Sequence, residues 1–241
     1  MRVAALLGLF AFLAPLHVAT KTLFGKSGWP KRFLAAAAWI LGARVSLEGK
    51  APKRRSLLVA NHTSWLDVLV LGGATGCAFV SKDQLGHPLI HWLADQNGTV
   101  YVKRTHRKAA RDQALTLARA LEGTQPVLVF PEGTTGPGTH LLAFHSTLLE
   151  AVNFTPEDVS IHPVAVDYHE NRAVIGWYLE SGRANILRIL RRRGPFRATV
   201  RLLPPLDRRM DRKQLTSEAR ASIAQSLGLT SLEHSPIGKA E

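Results

Sequence analysis

The chain of 241 residues contains a single cysteine, Cys77, so no disulfide can form within it and a disulfide-framed secreted scaffold is excluded. Cys77 sits in the apolar run Cys-Ala-Phe-Val and reads as a small buried hydrophobe. Acidic residues are scarce: 18 Asp and Glu face 31 Lys and Arg, a formal net charge of +13. That imbalance implies a polyanionic partner, either nucleic acid or an anionic membrane surface. The sequence carries no recognition helix, zinc-ligand set or aromatic ribonucleoprotein motif, so nucleic acid is not expected. A G-x-S-x-G elbow is also missing, and with it the usual serine hydrolase. His87 and His91 stand four apart without the glutamate of an HExxH pair, so no metal site is expected. Neither a repeat nor a low-complexity linker interrupts the chain.

What the chain does have begins with apolar length. From Val3 to Ala19 the only polar side chain is His17, close to the roughly 20 residues that span a bilayer. A cleaved signal peptide would need a small-x-small cleavage site and a longer positive region than Arg2 alone, so the segment reads as a retained anchor, with spanning and dipping both open. A second apolar helix is expected near Trp29–Gly42, with Trp29, Lys31 and Arg32 placed as interfacial anchors. The cations that follow the first helix (Lys21, Lys26, Lys31, Arg32) put a cytosolic flank there.

Beyond this two-helix segment, residues 1–43, the remainder (44–241) alternates short apolar runs with helical stretches. Strands are expected at Arg44–Glu48, Ser56–Ala60, Ala78–Ser81, Gly98–Lys103, Pro126–Phe130, Val159–Asp167, Arg172–Trp177 and Ala198–Leu203. Helices are expected at Arg104–Leu121, Ser146–Asn153, Asn185–Arg193 and Asp211–Leu227. The alternation argues for an α/β fold with a central, mostly parallel β-sheet flanked by helices. Asn185–Arg193 mixes Ile and Leu with four arginines, either a solvated helix on the core or a surface lying on anionic lipid.

Three segments carry chemistry. Ser56–Ala60 runs into Asn61-His62-Thr63-Ser64-Trp65-Leu66-Asp67. On one helix, residues five apart diverge by about 140°, so His62 and Asp67 can meet only if His62 precedes the helix. Ser64 and Asp67 fit a capping box, with Ser64 as N-cap. The carboxylate would then hold Nδ1–H of the imidazole and leave Nε2 free to take a proton from a bound hydroxyl; the competing reading is a capped turn with no chemistry. Pro126–Phe130 ends in the glycine-rich turn Pro131-Glu132-Gly133-Thr134-Thr135-Gly136, which lacks the P-loop lysine. Glu132 there is either an acceptor for backbone donors or a partner for a substrate hydroxyl. The third segment, Gly98–Arg104, delivers Lys103 and Arg104 at a strand end, where Arg104 can fork onto a phosphate or carboxylate.

Together these segments resemble the lysophosphatidic-acid acyltransferase family (1-acyl-sn-glycerol-3-phosphate acyltransferases). NHTSWLD matches its His-x4-Asp motif and Phe130–Thr134 its FPEGT motif, while Val100–Arg104 and Val159–Val166 are similar to its second and fourth motifs. The resemblance implies acyl transfer to a lysophospholipid hydroxyl from acyl-CoA or acyl-carrier protein as co-substrate, with no cofactor and no metal. It implies His62 as general base and Asp67 as its orienting partner, with Lys103, Arg104, Glu132, Gly133 and Thr134 in the acceptor region. It also implies the bilayer as a partner: a bacterial inner (cytoplasmic) membrane, with the active site at its cytosolic face. Two departures bear on the acceptor. Thr135 stands where the family commonly has arginine, and His145 stands where lysine commonly follows the phenylalanine. Phosphatidic-acid synthesis is the first expectation and acylation of lyso-ornithine lipid the second. A thioesterase and a non-enzymatic basic membrane adaptor are the rival classes.

Overall fold

The structure is a computed structural model and describes residues 1–51, 55–82, 88–102, 109–123 and 125–229. Lys103, Arg104 and His87 lie outside the described residues.

Two helices open the chain, α1 (Arg2–Phe24) and α2 (Trp29–Ile40). α1 is long and apolar enough to cross a bilayer, by length and composition. It nonetheless runs alongside the rest of the molecule. At its start Arg2 donates to the carbonyls of Ile189 and Gly194. Toward its end His17 and Lys21 both bond Oε1 of Gln96, each at 3.0 Å. Between these ties Phe10 packs edge-on against Phe33 and Trp92.

The sheet contains β1 (Ala43–Glu48), β2 (Ser56–Ala60), β3 (Ala78–Lys82), β4 (Val100–Val102), β5 (Val127–Val129), β6 (Ser160–Asp167) and β7 (Phe196–Leu202). They lie in the order β1-β7-β6-β2-β5-β3-β4, and every neighbouring pair is parallel except β6 and β7. β2 is buried throughout, as a central parallel strand must be. Its alternate residues serve two cores. Leu58 and Ala60 face a cluster with Leu66, Val70 and Leu71 of α3 (Leu66–Thr75), Ile189 of α7 (Gly182–Arg191) and Phe196 of β7. Leu57 and Val59 face Leu117 and Leu121 of α5 (Ala109–Leu121) and Leu215 and Ala219 of α8 (Arg212–Leu227).

α3 and α2 approach closely at Gly73 and Ala35. A Cβ added at Gly73 would lie 2.6 Å from the Cα of Ala35, so only glycine permits this spacing. α8 starts at Asp211 with a full capping box: Asp211 accepts from the Lys213 and Gln214 amides, and Gln214 reaches back to the Asp211 N–H.

Three expectations need correction. Arg172–Trp177 is not a strand: Arg172–Ile175 forms the one-turn helix α6, and Trp177 begins a strap that leads to α7. Asp167 accounts for this, because it accepts from Arg172 Nε at 2.8 Å and from the His169 amide at 2.7 Å, folding the chain back after β6. Expected as a helix, Ser146–Asn153 is instead a 3-10 segment, Leu148–Phe154. The Gly98–Lys103 strand is shorter, Val100–Val102 within the described residues. α4 (Pro88–Gln96), which has no residue in the core, lies between β3 and β4.

Candidate active site

The parallel strands β6, β2 and β5 are adjacent, so the loops leaving their C-terminal ends converge, the usual place for a site in an open α/β sheet. β2 delivers His62, β5 delivers Phe130 and Glu132, and β6 delivers Tyr168.

The chain leaves the sheet at Asn61, whose side chain replaces the lost ladder. Its Nδ2 donates to the Val166 carbonyl at 3.1 Å and its Oδ1 accepts from the Val166 amide at 2.8 Å. The backbone is thus free to turn. Nearly every polar group of that turn is then taken up. The His62 N–H donates to Glu132 Oε1 at 2.7 Å, and the His62 carbonyl accepts from the Gly136 N–H at 2.7 Å. The Thr63 carbonyl accepts from the Trp177 N–H at 2.9 Å.

α3 begins at Leu66, with Trp65 rather than Ser64 in the capping position. The capping box is therefore half formed. Asp67 reaches back to the amides of Thr63 (2.6 Å) and Ser64 (2.9 Å), while Ser64 Oγ accepts from Leu66 and not from Asp67. The same Asp67 oxygen, Oδ2, lies 2.9 Å from His62 Nδ1. Asp67 has no exposed surface, whereas the His62 side chain keeps 18% of its own. The imidazole is flat against Phe130, with ring centres 3.9 Å apart. With Nδ1 turned to the carboxylate, Nε2 is the nitrogen left for a substrate.

The other Asp67 oxygen, Oδ1, accepts from the hydroxyl of Tyr168 at 2.5 Å. Tyr168 is fully buried. Burial, and then the charge of Asp67, push its phenol well above the ordinary value, so it stays a donor. Sequence reasoning assigns no role to Tyr168, Asn61 or Phe130. Tyr168 and Asp67 are 101 residues apart, and their meeting depends on β6 lying beside β2, which no local pattern announces.

Glu132 is 5% exposed. Burial raises its carboxyl to about 7, against the lowering effect of the His62 and Leu142 N–H groups. Of its two sequence readings, the structure favours the acceptor for backbone donors. Its two oxygens accept one backbone N–H each, which clasps the FPEGT turn to the His62 turn. Gly133 takes a left-handed backbone (φ 70), which lets the chain reverse, and its neighbour Thr134 is exposed. The acidic residue Asp167 behaves oppositely to Glu132. Burial would raise it, but Arg172, the His169 amide and Arg201 outweigh that and hold it at about 2. This locks the β6 end that carries Tyr168.

His62 opens onto a cavity of about 680 Å³, within the range of small-molecule sites. Its wall is apolar: Leu13 of α1, Phe33 of α2, Val68 of α3, Phe79 of β3 and Leu93 of α4. It reaches from the His62 turn to His17 and Gln96. Two further histidines are occupied elsewhere. His162 bonds the Leu203 carbonyl and Ser160, while His91 packs against Tyr101.

A family model described as Acyltransferase matches residues 43–167. A lyso-ornithine lipid O-acyltransferase of Rhodobacter capsulatus is 35% identical over 199 residues, covering 78% of this chain and 72% of the relative. A 1-acyl-sn-glycerol-3-phosphate acyltransferase of Neisseria gonorrhoeae is 28% identical over 118 residues, covering 48% and 46%. Among solved structures, the 1-acyl-sn-glycerophosphate (LPA) acyltransferase PlsC of Thermotoga maritima shares the fold, with a TM-score of 0.65 and 22% identity over 98% of this chain and all of that one.

Proposed function

Since this chain belongs to the acyltransferase family, we propose that it acylates the hydroxyl of lyso-ornithine lipid at a membrane surface, with His62 as general base. The observation that carries the reading is an imidazole with Nδ1 against a buried carboxylate and its ring at the wall of a large apolar cavity. An acyl chain fits that wall, with its thioester carbonyl at the His62 end, within reach of a hydroxyl held by Nε2.

The geometry supports the following steps. Nε2 of His62 takes the proton of the acceptor hydroxyl while Asp67 stabilises the imidazolium that forms. The hydroxyl oxygen attacks the thioester carbonyl carbon. The tetrahedral adduct collapses, the C–S bond breaks, and the thiolate of CoA or acyl-carrier protein takes the proton back from His62. The product is an ester, and the enzyme is unchanged.

Lyso-ornithine lipid is placed ahead of lysophosphatidic acid, reversing the order of the motif reading. The lyso-ornithine relative matches with higher identity over most of both chains, the lysophosphatidic relative over less than half. Thr135, where arginine is common, supports an acceptor without a phosphate. The lysophosphatidic reading keeps the support of the motif pattern and of the Neisseria gonorrhoeae relative. Supporting an in-plane rather than a crossing α1 is that Arg2 and Lys21, near its two ends, bond the same domain. A crossing helix would carry one of them through about 30 Å of hydrocarbon.

The test offers the purified protein each lysolipid with acyl-CoA and with acyl-carrier protein. Ornithine lipid is the expected product, and His62→Ala and Asp67→Ala each reduce it roughly a hundredfold or more with unfolding temperature retained. Turnover of lysophosphatidic acid alone overturns the acceptor. Undiminished transfer by folded His62→Ala overturns the mechanism.

A further inference from the structure

The strap from Trp177 to Gly182 and the helix α7 that follows turn part of their polar set inward and part of their apolar set outward. Glu180 takes a forked pair from Arg188, at 2.6 and 2.7 Å, and accepts from Asn185 at 3.0 Å. Arg188 and Asn185 also bond the Gly176 carbonyl. Above this network the apolar groups point outward. Leu179 is 90% exposed and held at a positive φ of 54°, a conformation leucine rarely adopts. Tyr178, Ile186 and Leu187 are exposed beside it. Such a patch marks a contact surface.

The charges around the patch identify what covers it. On α7, Leu187 lies one turn from Arg183 and one turn from Arg191, so a leucine is flanked on one stripe by two cations. Arg183 and Arg191 are exposed and make no ion pair or side-chain hydrogen bond among the described residues. Apolar side chains with free cations at their margin match hydrocarbon beneath anionic headgroups. The patch is also continuous with α1: Arg2 bonds the α7 carbonyl of Ile189, and Val3 and Leu7 of the same helix are exposed.

We propose that the strap and the outer face of α7 form a second membrane contact on an anionic bilayer, with Leu179, Ile186 and Leu187 in the lipid and Arg183 and Arg191 at the headgroups. The contact is wired to the catalytic turn. Trp177 N–H holds the Thr63 carbonyl at 2.9 Å, and Asn185 Oδ1 holds Trp65 Nε1 at 3.0 Å. Trp177 and Ile186 also line the cavity with His62. Seating the strap therefore presents the cavity mouth to the lipid layer. That use of the contact rests on the acyl-transfer reading; the contact itself does not.

The experiment introduces Leu179→Cys into the full chain and attaches an environment-sensitive nitrobenzoxadiazole label. Cys77 is buried and its thiol pushed up to about 12, so the new thiol alone reacts. Glu218→Cys on α8, which packs on the opposite face of the sheet, is the control. With phosphatidylcholine vesicles containing phosphatidylglycerol, the label at 179 should shift to the blue and be quenched by doxyl-labelled acyl chains, and the label at 218 should not. Adding Arg183→Glu with Arg191→Glu should abolish that quenching. Equal behaviour at 179 and 218 overturns the proposal; if Leu179→Cys does not fold, Leu187→Cys carries the same label, and quenching equal to that at 218 overturns the proposal there too. An unlabelled Leu179→Asp variant should raise KM for acceptor in vesicles by about tenfold and leave turnover of detergent-dispersed acceptor unchanged; wild-type KM on vesicles overturns the seating role. Quenching with no transfer to any lysolipid would overturn the acyl-transfer reading and leave the contact standing.

Discussion

Tyr168 places its one hydroxyl on Asp67, while three other donors crowd the opposite oxygen of that carboxylate. A hydrogen bond to a charged group is worth about 1.5–3 kcal/mol, and here it fixes the carboxylate plane that aims the imidazole. Tyr168→Phe keeps the ring beside Phe196 and should lower kcat about tenfold or more with KM little changed; steady-state kinetics with a melting control measures this, and an unchanged kcat would reduce Tyr168 to packing. Glu132 gives a pH dependence of known sign. Its carboxyl rises from 4.5 to about 7 on folding, so the folded chain binds the proton more tightly than the unfolded one. Stability is therefore highest below the unfolded value and falls as pH climbs toward about 7. Unfolding temperatures measured across that window should fall for the wild type, and Glu132→Gln should flatten the slope. At this scale the sequence was partly legible. His62 and Asp67 were readable because a five-residue spacing and a strand-to-helix turn are local. Tyr168 and the clasp of Glu132 on the His62 amide were not, since each joins residues 70 or more apart.

Among the elements, the contact of α2 with α3 is exacting, because at Gly73 the helix that carries Asp67 meets the backbone of Ala35. Gly73→Val should force the two helices apart at a cost of about 1–3 kcal/mol, seen as a lower unfolding temperature, with transfer falling as Asp67 shifts. The strands were legible because apolar runs such as Ser56–Ala60 are bounded by glycine, proline or polar residues. Their order was not, since β7 and β6 lie between the consecutive strands β1 and β2. The apolar stretch Ala173–Ile175 misled for a physical reason: it has the composition of a strand, but the Asp167–Arg172 bond closes the chain into a helical turn first.

Over the whole molecule, the excess of 13 positive charges predicts binding to anionic vesicles that weakens with salt, since the screening length shrinks from about 10 Å at 0.1 M to about 3 Å at 1 M. The apolar burial of α1 does not share that dependence. Quenching of a label on the strap should therefore fade in salt while flotation with vesicles persists, and flotation lost in step with quenching would mean that charge alone holds the protein to lipid. The apolar run of α1 was legible as membrane-seeking. Its lie was not, because the ties to Gln96 and Ile189 are made by distant residues.

α1 carries a further consequence in His17. Apart from that residue the middle of the helix is nearly uniformly apolar, so lipid gives it no preferred rotation about its own axis. His17 breaks the symmetry. Its Nδ1 meets Ser27 at 2.9 Å and its Nε2 meets Gln96 at 3.0 Å, and turning the helix would strand the ring in hydrocarbon without partners. It acts as a locating pin: one azimuth alone satisfies it, and in that azimuth Phe10, Leu13 and Ala14 face the cavity. His17→Leu should leave the helix as firmly in lipid as before but less firmly fixed about its axis, held only by Arg2, Lys21 and Phe10, so the spectrum of acyl chains in the product broadens while membrane retention stays constant.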